Sequence, residues 1–269
     1  MIVKKIFLDE NDKDVYIDCY IADKIRYFER KAILIIPGGG YRGVCSDREG
    51  EPIAHAFMVQ GYNAFVLHYS VARKKVFPTQ LIQASKAMKH IKDNAEEYGI
   101  NKDEVFAVGF SAGGHLTACL GTLWNKKEVY EALDMPYGYN KPKGVMLIYP
   151  VISSDKDIWH EGSFANLLGK DNPSEEELLM CSVEKYVTKD SSPAFMAHTS
   201  DDAAVNVRNS LAMADAYAKE GLKFELHIYP TGCHGLALGN EITKCNNDAH
   251  VNEMFAKWVE NAAFWAKNL

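Results

Sequence analysis

The chain has 269 residues, 47% of them hydrophobic, which is enough to bury one large core. Lysine plus arginine number 30 and aspartate plus glutamate 36, giving a formal charge of −6 with no basic tract. That balance argues against nucleic acid or an anionic membrane surface as a partner.

The six cysteines, at positions 19, 45, 119, 181, 233 and 245, form no C-x-x-C pair and are irregularly spaced. This reads as reduced thiols packed as small apolar groups in a cytoplasmic protein. Behind Lys4 and Lys5 only Ile6, Phe7 and Leu8 are apolar, short of the roughly 7–15 residues of a signal-peptide core. No stretch approaches the ~20 apolar residues of a membrane span, so a soluble chain inside the cell is expected. The histidines and cysteines have no metal-ligand spacing, and neither a metal nor an organic cofactor is expected. The apolar-rich composition leaves room for a homo-oligomer, but no segment marks an interface.

Residues 14–22 alternate apolar and polar with period two, the pattern of an edge or second strand. Ala32–Ile36 is a short apolar run ended by Pro37 and three glycines, and it reads as a strand buried on both faces. Asn63–Ser70 is a second such run. From Pro78 to Tyr98, apolar or small residues at 81, 84, 88, 91, 95 and 98 make one helical face, with Gly99 as the stop. Glu104–Phe110 reads as a strand, Ser111–Leu123 as a helix, and Gly144–Val151, Ala194–Thr199 and Lys223–Tyr229 as strands. Between the last two, Val207, Leu211, Ala214 and Ala218 form a helical stripe that stops at Gly221. Val251, Met254, Phe255, Trp258, Val259 and Ala262 predict a final amphipathic helix. This alternation predicts one α/β domain over residues 1–269 with a mostly parallel sheet flanked by helices. The segment 152–192, after the sixth strand region, is long for a connection and predicts a lid or a surface insertion. Within it, Ser174 and Glu177 have capping-box spacing.

Gly109-Phe110-Ser111-Ala112-Gly113 is a G-x-S-x-G motif. Alone it is weak, but here it follows a strand and opens a helix, the setting a nucleophilic serine on a sharp, strained turn requires. Glycines two before and two after the serine fit positions where a Cβ would strike neighbouring backbone. A serine hydroxyl needs a base to take its proton and a third group to orient that base. In folds built around this turn the chain order is Ser, acid, His, each on a loop after a strand. His234 follows the last strand in Tyr229-Pro230-Thr231-Gly232-Cys233-His234-Gly235, a loop that would present it at the sheet edge. His227 and His90 lie within a strand and a helix, and His250 lies at the start of the final helix. For the acid, Asp201 and Asp202 follow the strand Ala194–Thr199. Asp155 and Asp157 follow an earlier one, and spacing does not choose between 201 and 202.

With these residues the chain resembles the bacterial α/β-hydrolase esterases grouped with acetyl esterases and acetyl-xylan esterases. The resemblance runs over most of the length. It rests on Pro37-Gly38-Gly39-Gly40-Tyr41, Asp47-Arg48-Glu49-Gly50-Glu51-Pro52, and Gly109 through Leu116. Ser163–Lys170, His198–Asp202 and Cys233-His234-Gly235 add to it. Related lipases and esterases carry a histidine where this chain has Pro37. The resemblance implies Asp202, the second of the aspartate pair, as the acid. It also implies an oxyanion hole formed by the N–H groups of Ala112 and of Gly39 or Gly40, which the loss of that histidine leaves intact. The activity implied is removal of short acyl groups, acetate first, from sugar or xylo-oligosaccharide esters, with a small-molecule ester as the substrate. Tyr41 and Leu236 are candidates for either pocket or packing. Two other readings are a peptidase or amidase, for which 269 residues leave little spare chain, and a silent ligand-binding member, which normally has lost a member of the triad.

Overall fold

The computed structural model describes residues 1–245 and 248–269. One sheet is built from β1 (Ile2–Phe7), β2 (Tyr16–Ile21), β3 (Arg30–Ile36), β4 (Tyr62–His68), β5 (Ile100–Phe110), β6 (Val145–Ile148), β7 (Ala194–Thr199) and β8 (Phe224–Tyr229). The order is β1-β2-β4-β3-β5-β6-β7-β8. β2 pairs antiparallel with both β1 and β4, and every pairing from β4 across to β8 is parallel. The helices are α1 (Ser46–Glu49), α2 (Glu51–Val59), α3 (Thr79–Asp93), α4 (Ala95–Tyr98), α5 (Ser111–Thr122), α6 (Lys127–Ala132), α7 (Glu161–Leu168), α8 (Glu175–Met180), α9 (Arg208–Lys219) and α10 (Trp258–Lys267).

The inner stretches of the central strands, Ala32–Ile36, Ala64–Leu67, Val105–Phe110 and Val145–Ile148, are apolar and buried because helices cover both faces of the sheet. In β3, Ala32, Leu34 and Ile36 face the layer of α3, α5 and α9, while Ile33 and Ile35 face α2 and α10. The parallel strands all end at one edge, where the loops bearing Gly38–Gly40, Ser111, Asp202 and His234 gather. None of the helices among the described residues is long and apolar enough to cross a membrane.

Three local differences from the sequence reading have identifiable causes. The helix expected over 78–98 divides at Asn94, whose side chain caps the His90 carbonyl; α4 then runs to Gly99 at φ +62°. The final helix starts at Trp258, not at Val251, preceded by one 3-10 turn at Phe255–Lys257. Asn252 is the reason: its side chain donates to the Thr231 carbonyl and accepts from the Phe255 N–H, and its own N–H goes to Gly239. Those bonds tie 251–254 to the loop after β8 and leave Met254 exposed. β1 and α2 carry weak patterns and were not anticipated; β1 is an exposed edge strand. The segment 152–192 holds α7, α8 and a 3-10 turn at Val183–Tyr186. Its Ser174–Glu177 capping box forms, with Ser174 N–H on Glu177 Oε2 at 2.8 Å and Glu177 N–H on Ser174 Oγ at 3.3 Å.

β5 turns into α5 with no intervening loop, so the helix start is pressed against β3. A Cβ on Gly113 would lie 2.1 Å from the Ile36 carbonyl oxygen and 2.4 Å from that of Pro37. Gly113→Ala is therefore expected to cost about 3 kcal/mol or to prevent folding. Gly43→Ala, whose Cβ meets open space, should cost less than about 1 kcal/mol. Urea midpoints of the two variants test the contrast.

Candidate active site

Ser111 sits at the β5–α5 junction with φ +53°, a left-handed conformation that an L residue adopts only when its surroundings enforce it. Its carbonyl is held by the Val151 N–H at 3.0 Å. The hydroxyl lies 2.8 Å from His234 Nε2, and His234 Nδ1 lies 2.7 Å from Asp202 Oδ2. With Nδ1–H donating to the carboxylate, Nε2 is left to accept from the serine hydroxyl. The three residues expected from sequence thus form one hydrogen-bonded row.

The Asp202 side chain is fully buried. Burial opposes its charge, but hydrogen bonds from His198, His234 and the Val205 N–H outweigh that cost and hold its carboxyl well below the usual carboxylate range. Oδ1 accepts from the Ala204 and Val205 N–H groups, each at 2.9 Å. Asp201 points elsewhere and accepts the Gly232 N–H at 2.7 Å. Asp155 accepts the Asp157 N–H on another part of the surface. Of the two aspartates that spacing left open, Asp202 is the one bonded to His234. The His234 loop is tied to β7 by Thr199 Oγ1 and Ser200 Oγ, which donate to the Gly232 and Pro230 carbonyls at 2.7 Å each. Arg48 also donates to the Gly235 carbonyl.

The glycine loop passes directly beside the serine: a Cβ on Gly38 would lie 3.0 Å from Ser111 Cβ. The Gly38 N–H is committed to Glu49 Oε2 at 2.7 Å. Gly39 and Gly40 have φ +123° and +62° and line the same cleft as Ser111 and His234. Ala112 lies in the first turn of α5, where backbone N–H groups have no carbonyl one turn earlier to bond.

This cleft has a volume of about 430 Å³. Cys45, Asp47, Arg48, His160 and Cys245 also line it, and no aliphatic or aromatic hydrocarbon side chain does among the described residues. A larger hollow of about 760 Å³ lies at the opposite ends of the strands, beside Lys31, Tyr62 and Phe264, away from the serine. Tyr41 and Leu236 are buried and serve packing, not the cleft; the Tyr41 hydroxyl donates to His115 Nδ1 at 2.8 Å. Among the described residues, no hydrogen bond joins His250 to the row.

Several residues that the sequence does not single out also stand around the row. His160 comes from the 152–192 segment and caps α7, its Nδ1 accepting from the Ser163 N–H at 3.2 Å. Burial, and then the nearby His234, push its pKa down. Asn166 from the same segment donates to the Gly40 carbonyl at 2.9 Å. His198, buried on β7, contacts Asp202 Oδ2 at 3.3 Å and the Val205 carbonyl at 3.0 Å. Glu49 and His198 both lie in the motif blocks quoted above, but nothing in their spacing assigns them a role.

The parallel sheet, the serine at a strand–helix elbow and the ordered partners after β7 and β8 define an α/β hydrolase. Within that class, residues 17–217 match the BD-FAE family, and the chain belongs to it. It is 37% identical over 218 residues to endo-1,4-beta-xylanase B of Butyrivibrio fibrisolvens, covering 79% of this chain and 33% of that protein. It is 30% identical over 216 residues to an acetylxylan esterase of Xylanibacter ruminicola, covering 78% of this chain and 42% of that protein. The chain thus spans less than half the length of these two relatives. Among solved structures it resembles an acetyl ester-xyloside bifunctional hydrolase from Caldicellulosiruptor lactoaceticus, at TM-score 0.84 and 32% identity, covering 98% of this chain and 96% of that one.

His115, four residues after the serine, is fully buried, with Tyr41 on Nδ1 and the Cys181 carbonyl on Nε2 at 2.7 Å. Burial pushes its pKa down to about 4. Below the ordinary histidine range the unfolded chain binds a proton that the folded chain refuses, so stability is lost as pH falls from about 6.5 toward 4. This site alone is expected to remove about 2 kcal/mol between pH 7 and pH 5. Urea unfolding at both pH values tests it, and His115→Gln should lose that part of the pH dependence.

Proposed function

We propose that the chain is a serine carboxylic-ester hydrolase that works through an acyl-enzyme. The observation that carries this reading is the row Ser111–His234–Asp202 at 2.8 and 2.7 Å on a strained elbow. In the first step Ser111 Oγ attacks the ester carbonyl while its proton passes to His234 Nε2. Asp202 holds the imidazole in the tautomer that leaves Nε2 free, and its negative charge stabilises the imidazolium that forms. The N–H groups of Ala112 and of Gly39 or Gly40 receive the oxyanion; one such donor is typically worth about 3 kcal/mol in the transition state. His234 then protonates the leaving alcohol. Water enters, gives a proton to His234 and attacks the acyl-enzyme, and the proton returns to Ser111 as the carboxylic acid departs.

The substrate we assign is a short acyl ester, acetate first, on a sugar or xylo-oligosaccharide alcohol. Two observations support this. The cleft is small, and its wall is made of glycines, thiols and charged or polar residues, which suits a short acyl group beside a sugar hydroxyl. Similar proteins include an acetylxylan esterase and an acetyl ester-xyloside hydrolase.

Ser111→Ala should lower kcat on a short-chain aryl ester by roughly 10⁶-fold and Asp202→Asn by roughly 10⁴-fold. Asp201→Asn should stay within about tenfold. An inactive Asp201→Asn beside an active Asp202→Asn would reverse the choice of acid. Rates should fall from acetyl to butyryl to octanoyl esters, and acetylated xylo-oligosaccharides should outpace an amide of the same acid. A preference for the amide or for the long chain would contradict the substrate class.

A further inference from the structure

Glu49 ends α1 and is 3% exposed, yet no lysine or arginine forms an ion pair with it among the described residues. A carboxylate so placed is costly unless its oxygens are well bonded. Both are, and each bond leads to a different loop of the site. Oε2 accepts the Gly38 N–H at 2.7 Å, at the root of the loop whose next two residues line the cleft. Oε1 accepts the Tyr149 hydroxyl at 2.8 Å. Tyr149 follows β6 in a left-handed conformation, φ +37°, and its ring stands edge-on to the His234 imidazole at 5.1 Å between centroids. The Tyr149 oxygen in turn accepts the Ala237 N–H at 2.9 Å, three residues past His234.

We infer that Glu49 is a positioning residue for acyl transfer: its two oxygens hold the Gly38–Gly40 loop and, through Tyr149, the imidazole of His234 in one working arrangement. The inference rests on the esterase reading above. Glu49 also lies close enough to His234 for each to feel the other's charge. A buried negative charge there adds to that of Asp202 in favouring the imidazolium formed during reaction. Burial raises the Glu49 pKa, opposed by its two hydrogen bonds and then by His234 and Arg48. The other titratable groups around the pair are Tyr69 and Cys45 beside Glu49, and Asp202 and His160 beside His234.

The test is steady-state hydrolysis of 4-nitrophenyl acetate across pH by wild type, Glu49→Gln, Tyr149→Phe, the double variant and Ser111→Ala, with melting temperatures as the check on folding. Glu49→Gln should lower kcat about 10- to 100-fold with KM within about threefold, and should move the acid limb of kcat/KM to lower pH. Tyr149→Phe keeps the ring and the Glu49 charge; it should lower kcat about 3- to 10-fold and leave the limb in place. Because the two share the Tyr149–Glu49 bond, their losses should not multiply, and the double variant should be little worse than Glu49→Gln. Wild-type kcat in a folded Glu49→Gln, an unmoved acid limb, or losses that multiply in the double variant would each overturn the inference. If Glu49→Gln does not fold, Tyr149→Phe decides alone: a lowered kcat supports the link and a wild-type kcat removes it. Activity retained by Ser111→Ala would instead bring down the esterase reading itself.

Discussion

Everything at the site depends on one backbone constraint: the chain passes from β5 into α5 through Ser111 at φ +53° with no spacer. That conformation costs free energy of roughly 1–3 kcal/mol for a non-glycine residue, and the surrounding fold must supply it. The supply is visible in the neighbours. Gly113 lets the helix start touch the β3 carbonyls, Gly109 lies under the Thr117 hydroxyl, and Val151 bonds the Ser111 carbonyl. The elbow lifts the serine hydroxyl off the sheet edge and places the first helical turn, with its unbonded N–H groups, beside it.

The remaining parts are arranged around that point by charge and hydrogen bonding. Asp202 is buried and ionised because two backbone N–H groups and two histidines surround it. Its fixed charge sets the orientation of His234. Glu49 plays a parallel part on the other side, joining the glycine loop to Tyr149. The site therefore has two buried carboxylates, each bonded to a different loop, and neither is bonded to a lysine or arginine among the described residues. Backbone N–H groups, two histidines and a tyrosine hydroxyl supply their bonds instead, and salt screens such buried contacts less than surface ion pairs.

Much of this was legible in the sequence because the signals are short-range. The buried strands read as apolar runs, the elbow as five residues, and His234 as a polar side chain in a glycine-flanked loop. What was not legible depends on long-range contact. Asp201 and Asp202 differ only in which way each side chain points once β7 ends, and that is fixed by the Ala204 and Val205 N–H groups. The final helix misled because Asn252 spends its hydrogen bonds on the loop after β8, an event invisible in an apolar stripe. His160, Glu49 and His198 look like ordinary polar residues until the chain folds and brings them to the cleft, the glycine loop and Asp202.

The central claim is that His234 activates one hydroxyl, that of Ser111. An alkyl fluorophosphonate reacts with such a hydroxyl and leaves a stable covalent adduct. Peptide mass analysis of the labelled native protein should find a single phosphonyl group, on the peptide carrying Ser111, and none when His234 is replaced by alanine. An adduct on another residue, or an unlabelled Ser111 in folded protein, would contradict the account.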